Sequence, residues 1–84
     1  MAKNISPYLL IVTMEECGEL TQACSKVYRH RNKKKDRVLL SEEVGDVIAM
    51  MNLLCDAGLV DLDIVEKKRV AREKKMKKRM RKRR

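Results

Sequence analysis

The stretches Glu15-Glu16-Cys17-Gly18-Glu19 and Glu42-Glu43-Val44-Gly45-Asp46 share the pattern Glu-Glu-x-Gly-acid, and together they decide the predicted fold of this 84-residue chain. Each lies in a segment whose apolar residues recur every three or four positions, which is typical of an amphipathic helix. Four acidic residues fall on the apolar faces of these helices. They are Glu16, Glu19, Glu43 and Asp46, called here the carboxylate cluster. Buried carboxylates cost on the order of several kcal/mol each unless a positive charge meets them, so the pattern predicts a bound cation.

The fold class is predicted to be all-α, because no segment alternates polar and apolar residues for long enough to indicate a strand. We expect helices at about residues 7–31, 36–57 and 62–73. Ser6 followed by Pro7 is a favourable helix start, with the serine hydroxyl as N-cap and proline at the first helical position.

The remaining helix boundaries follow from capping residues. We expect the second helix to begin at Asp36, in preference to Ser41, because Leu39 is then in phase with the acidic residues. Gly58 is expected to end it. The third helix is expected to begin at Asp61 or at Asp63, which resembles the start of a capping box.

Gly18 and Gly45 each lie inside a predicted helix, immediately before the last acidic residue of the motif. Glycine there costs about 0.5 to 1 kcal/mol relative to alanine. Their presence predicts either a close backbone approach or room for a ligand.

The chain is small and poor in aromatic residues, with two tyrosines, no phenylalanine and no tryptophan. Domains of this size usually need extra stabilisation from a disulfide, a metal or a partner subunit. We therefore predict an antiparallel helical bundle that is completed by oligomerisation, as a homodimer or homotetramer.

Charge is divided unevenly along the chain. Residues 66–84 hold thirteen Lys or Arg and two Glu, whereas residues 1–65 hold eight basic and ten acidic residues. The pattern predicts a helical domain over residues 1–73 and a basic tail over residues 74–84, which is either a helical extension or disordered.

The three cysteines have no Cys-x-x-Cys spacing, so we expect free thiols in a reducing cytoplasm and no disulfide framework. The apolar run at residues 8–14 is too short for a membrane span and ends in two glutamates, which a signal peptide would not do. The chain is expected to be soluble and cytoplasmic, without a membrane partner.

The spacing within the carboxylate cluster indicates the kind of metal. Residues three apart on a helix are neighbours, so Glu16 with Glu19 and Glu43 with Asp46 each form a carboxylate pair. Two opposed pairs make an all-oxygen site, which suits Mg²⁺. Iron or zinc is less consistent with the sequence, because the one histidine, His30, is expected on the surface and out of phase with the pairs.

The two motifs resemble those of the MazG-like all-α nucleotide pyrophosphohydrolases in their short single-domain form. The family pattern is Glu-Glu-x-x-Glu, a spacer of some two dozen residues, and then Glu-x-x-Asp, and here 23 residues separate Glu19 from Glu43. The segment Glu19-Leu20-Thr21-Gln22-Ala23-Cys24-Ser25-Lys26 adds to the likeness. The resemblance covers roughly residues 5–70.

The resemblance implies Mg²⁺-dependent hydrolysis of a nucleoside triphosphate to a monophosphate and pyrophosphate, with Mn²⁺ as a substitute metal. It also implies a helical dimer or tetramer and assigns metal binding to the carboxylate cluster. Glu15 and Glu42, one position off the metal-binding face, are candidates for the catalytic base or for support of the metal ligands.

Basic residues are candidates for binding the substrate phosphates. Lys26 lies two turns beyond Glu19 on the same helix face. Lys67, Lys68 and Arg72 fall near the positions where the family has phosphate contacts.

Two other functions are consistent with the sequence. The tail could hold nucleic acid nonspecifically by counterion release, although no aromatic residues interleave with it for base stacking. The chain could also be a catalytically inactive helical oligomer that keeps the acidic residues for folding.

Overall fold

The computed structural model describes residues 7–83, which form three α-helices. Helix α1 spans Pro7–Arg29, α2 spans Lys34–Asp56 and α3 spans Leu62–Lys82. The predicted all-helical class is confirmed. Pro7 is the first residue of α1, as expected, whereas the predicted N-cap Ser6 lies outside the described residues.

Helix α2 begins at Lys34 and not at Asp36, which we expected to cap it. The N-cap position is Lys33, whose side chain makes no capping hydrogen bond. Asp36 is instead buried, and its Oδ2 lies 3.0 Å from Nδ1 of His30, which donates to it. This hydrogen bond ties the end of α1 to the first turn of α2 and makes His30 part of the packing between them.

The connection between α1 and α2 is tight because two consecutive residues adopt left-handed backbone angles. Arg31 has φ 58° and Asn32 has φ 65°. The amide of Asn32 donates to the carbonyl of Val27 over 2.8 Å, and Arg37 donates to Oδ1 of Asn32 over 3.0 Å. These contacts reverse the chain, so that α2 packs antiparallel along α1.

Helix α2 ends where the sequence predicted. Gly58 has φ 72°, a backbone angle that favours glycine, and the amide of Leu59 donates back to the carbonyl of Leu54 over 3.0 Å. Asp61 then caps α3, because its carboxylate accepts from the amides of Asp63 and Ile64 at 2.9 and 3.3 Å. Asp61 is therefore the start of α3, and Asp63 belongs to its first turn.

Helix α3 continues past residue 73, where we expected it to end, and reaches Lys82. Of the two forms predicted for the basic tail, the structure has the helical one. Helix α3 does not pack against α1 or α2 to an extent comparable with the α1–α2 contact. The division of the chain into a domain over 1–73 and a tail over 74–84 stays a prediction.

One chain buries little apolar surface. Among residues 7–83 the only buried apolar side chains are Ala23 and Met50, which lie between α1 and α2. The described chain measures 46 × 28 × 14 Å, so its thinnest dimension is little more than the diameter of one helix. Within a single chain, the predicted bundle is thus a packed pair of helices with a third helix beside it.

Both packed helices also carry a second apolar stripe that faces away from their contact. On α1 it contains Leu10, Met14 and Tyr28, and on α2 it contains Val44, Ile48 and Met51, all exposed. Each stripe is displaced by about 120° in the same rotational sense from the carboxylate-bearing face of its helix. Because the helices run antiparallel, the two stripes lie on the same side of the pair. Across residues 7–83, no helix has the length and apolarity that a bilayer span would need.

The hydrogen bond between His30 and Asp36 should contribute measurably to stability, because the aspartate is only 4% exposed. Replacing His30 with alanine leaves a buried acceptor without its donor, at an expected cost of about 1 to 2 kcal/mol in the free energy of unfolding. Urea denaturation followed by circular dichroism measures the change. Lys35→Ala, an exposed position in the same turn of α2, is the matched control. Equal losses in both variants would contradict the assigned role.

Candidate metal centre

The antiparallel packing of α1 and α2 brings the carboxylate cluster together. Carboxylate oxygens of Glu16, Glu19 and Glu43 all lie within 4.8 Å of one another. Asp46 lies close to the group, because its charge is among the causes, after burial, that raise the pKa of Glu16. The four acidic residues singled out in the sequence are therefore neighbours in space, paired across the two helices.

The cluster has an inner and an outer layer. Glu16 and Glu43 are half-buried, and Oε2 of each is enclosed without any hydrogen-bond partner. Glu19 and Asp46 are exposed at the open side. No lysine or arginine within residues 7–83 forms an ion pair with any of the four. Among residues 7–83, these four negative charges are therefore not neutralised by a direct ion pair.

The unfavourable electrostatics of this arrangement raise the pKa values of Glu16 and Glu43. Burial raises the pKa of Glu16, and the charges of Asp46 and Glu19 raise it further. Burial and then the charge of Glu19 raise the pKa of Glu43. The folded state therefore holds these protons more tightly than the unfolded state. As the pH rises from the ordinary glutamate pKa through the raised values, the two groups ionise in the fold and stability is lost.

The donor set fits a hard divalent cation. It consists of carboxylate oxygens, the ligands that Mg²⁺ and Mn²⁺ take in proteins, and no histidine or cysteine of the described residues joins the group. The enclosed Oε2 atoms of Glu16 and Glu43 have free lone pairs that a cation would use. A bound cation would remove both the repulsion and the unsatisfied oxygens.

A cleft of about 220 Å³ opens beside the cluster. It is lined by Glu19, Gln22, Ala23, Lys26, Leu39 and Glu43. Lys26 is half-buried and is the one cationic side chain of this lining, which it shares with Glu19 and Glu43. Gln22 was not singled out as a functional residue. Its position, one turn after Glu19, is the signal that could have identified it.

The other predicted site residues lie outside the cleft. Glu15 and Glu42 are exposed neighbours of the cluster, and the charge of Glu15 contributes to the raised pKa of Glu16. Lys67, Lys68 and Arg72 are exposed on α3 and do not line the cleft. One chain therefore does not bring the basic residues of α3 to the carboxylates.

Gly18 and Gly45 have open space around them. A Cβ atom built on either glycine would meet nothing within 4 Å. The close backbone approach that the sequence suggested is therefore absent among residues 7–83. Both glycines are exposed, and room for a ligand stays a prediction.

Comparison with known proteins gives one match. The family model of the MazG nucleotide pyrophosphohydrolase domain matches residues 6–84, so the match covers the expected range of about 5–70 from residue 6 onward and also the basic C-terminal segment. Neither a curated protein nor a solved structure matches the chain. The family match spans nearly the whole sequence and includes both acidic motifs. The chain therefore belongs to the MazG nucleotide pyrophosphohydrolase family.

Proposed function

We propose that this protein is a Mg²⁺-dependent pyrophosphohydrolase that cleaves a nucleoside or deoxynucleoside triphosphate between the α and β phosphates. Water adds across that bond, and the products are a nucleoside monophosphate and pyrophosphate. One observation carries the proposal. In a chain that matches the family model, the carboxylates of Glu16, Glu19 and Glu43 meet across two helices, and two of their oxygens are enclosed without a hydrogen-bond partner.

The four carboxylates would bind the cation from two sides. Glu16 and Glu43 would hold the cation through their enclosed oxygens, and Glu19 and Asp46 would complete its carboxylate ligands from the open side. A divalent cation at this position would supply charge neutralisation for the triphosphate and a more acidic bound water. Mn²⁺ has the same preference for oxygen ligands and would replace Mg²⁺.

The substrate would lie in the cleft beside the cluster. Lys26 lines this cleft and can donate to a phosphate oxygen, which orients the triphosphate and balances part of its charge. Glu15 and Glu42 flank the metal-binding residues, and we propose them as candidates to accept the proton of the attacking water or to support the metal ligands. Lys67, Lys68 and Arg72 would reach the phosphates only if α3 of another subunit lay over the cleft.

We further propose that the functional unit is a homodimer or homotetramer in the cytoplasm. The exposed stripes on α1 and α2 form a single apolar side of the pair, and such surfaces usually mark an interface. The cleft opens on the opposite side, because Glu19 and Lys26 are rotated the other way from the inner face of α1. Oligomerisation through the stripes would leave the cleft accessible. The three free cysteines are consistent with a reducing compartment.

The first prediction concerns metal binding. Millimolar Mg²⁺ or Mn²⁺ should raise the melting temperature of the protein relative to EDTA, because a ligand selective for the folded state stabilises it by mass action. Glu43→Gln should remove most of that shift. The same variant should melt higher than the wild type in EDTA at neutral pH, because it removes a carboxylate whose pKa is raised by burial and then by the charge of Glu19.

Asp56→Asn is the matched control for this experiment, because Asp56 is an exposed acidic residue of the same helix. It should keep the metal-induced shift of the wild type. Identical melting temperatures of the wild type with EDTA and with metal would contradict a metal centre at the carboxylate cluster.

The second prediction concerns the reaction. With Mg²⁺ the protein should release pyrophosphate, and not orthophosphate, from at least one member of a panel of NTPs and dNTPs, with products identified by ion-exchange chromatography. Glu16→Gln, Glu19→Gln and Asp46→Asn should each reduce the rate at least about 100-fold, the scale expected when a group essential to charge stabilisation is removed. Orthophosphate as the first product would refute the assignment. Metal binding without release of pyrophosphate from any nucleotide would identify an inactive relative.

The third prediction concerns assembly. Wild-type protein should sediment as a dimer or tetramer in analytical ultracentrifugation, and Ile48→Lys, in the apolar stripe of α2, should shift it toward monomer. Val38→Lys is the control, because Val38 is exposed to a similar degree (50% against 54%) but lies off the stripe. A wild-type mass that stays monomeric at all concentrations would show that the stripes do not form an interface.

A further inference from the structure

We propose that the distal segment of α3, residues 74–83, binds the phosphate backbone of duplex DNA without sequence preference. This activity is separate from the proposed hydrolysis and does not depend on the metal centre. Eight of the ten residues in the segment are lysine or arginine, and all eight are exposed. The segment is helical up to Lys82, so these charged side chains project from a regular α-helix.

The negative charges of α3 are already engaged closer to its start. Arg69 pairs with Glu66 through two of its nitrogens and with Glu73 through Nη1 at 2.6 Å. The hydrogen bond from Arg69 lowers the pKa of Glu66, which keeps that carboxylate ionised and paired. The distal segment itself contains no acidic residue. Its lysines and arginines therefore form no ion pair with a carboxylate among the described residues of α3.

The rest of the chain cannot neutralise the segment either. Residues 1–65 hold ten acidic and eight basic residues, an excess of only two negative charges. Lysines and arginines three or four positions apart repel one another along a helix. A polyanion of matching charge density would relieve this repulsion, whereas the body of a second copy would not.

Duplex nucleic acid has the required charge density. The nine helical residues of the segment, 74–82, extend over about 14 Å, and a DNA duplex presents about eight phosphates over that length. On the helix surface, Lys74, Lys78 and Arg81 follow steps of four and three and lie on one face, with Lys77 and Lys82 at its edges. About four of these cations can contact one duplex at the same time.

The composition of α3 distinguishes duplex DNA from other polyanions. Single-stranded nucleic acid is usually held by aromatic side chains that stack on its bases, and α3 contains none. The major groove of duplex RNA is too deep and narrow for side chains to read, whereas that of B-form DNA admits an α-helix. A membrane-binding helix would need a continuous apolar face. The distal segment offers only Met76 and Met80, and Arg79 lies over Met76 with Nη1 3.9 Å from its sulfur.

Fluorescence anisotropy with a labelled 30-base-pair DNA duplex tests the proposal on the full-length protein. Experiments in EDTA and with the Glu43→Gln variant should give unchanged affinity, because the segment lies outside the carboxylate cluster. With four phosphate contacts, affinity should fall about 100-fold between about 50 and 200 mM salt. The triple variant Lys74→Gln/Lys78→Gln/Arg81→Gln should bind at least about 10-fold more weakly at low salt, with a reduced salt dependence.

The charge-matched control is Lys33→Gln/Lys34→Gln/Lys35→Gln, which removes three exposed cations at the start of α2. It should bind DNA like the wild type, and circular dichroism should give the same helix content for both triple variants. Equal weakening by the two triple variants would overturn the proposal, since it would assign binding to overall charge. Tighter binding to single-stranded DNA, to duplex RNA or to phosphatidylserine vesicles than to duplex DNA would overturn it as well.

Discussion

The repulsion among the carboxylates between α1 and α2 is the constraint on which the rest of the structure depends. Glu16 and Glu43 lie at the same interface as Ala23 and Met50, the buried apolar residues of the described chain. A core of this size offers little hydrophobic stabilisation to offset charge repulsion. Folding of α1 onto α2 and occupation of the metal centre should therefore be coupled energetically. The residues that make the site also limit the stability of the fold.

Because the core is small, contacts in the turns of the chain matter for the position of the helices. The tight turn with two left-handed residues and the pair between His30 and Asp36 hold the helices in register at one end of their contact. At the far end of α2, the left-handed Gly58 and the capping Asp61 set where α2 ends and α3 begins. The hydrophobic core is too small to hold α1 and α2 in place by itself. Contacts in the turn between them therefore help to position the carboxylates.

The sequence predicted the features that depend on helical periodicity. The helical class and the placement of Glu16 and Glu43 on the faces where α1 and α2 meet follow from residue spacing, and the stop at Gly58 follows from the preference of helix ends for glycine. Predictions that depended on tertiary contacts were less successful. Asp36 was expected to cap α2, but its carboxylate accepts a hydrogen bond from His30, which lies just after the end of α1. This contact depends on how the chain turns between the two helices. The extension of α3 to Lys82 was also not fixed by the sequence, because a lysine-rich segment without an apolar face gives no periodic signal.

The thin, open shape of the described chain has a consequence for the environment of the chemistry. In a pair of helices side by side, the cleft stays open to solvent, because Glu19 and Gln22 of its lining are exposed and only Ala23 is buried. Electrostatic stabilisation of a transition state is strongest where water is excluded. A single chain can bring the carboxylates together, but it cannot exclude water from the open side of the cleft. The low-dielectric surroundings that favour rapid phosphate chemistry would have to be contributed by a neighbouring subunit or by the nucleotide itself.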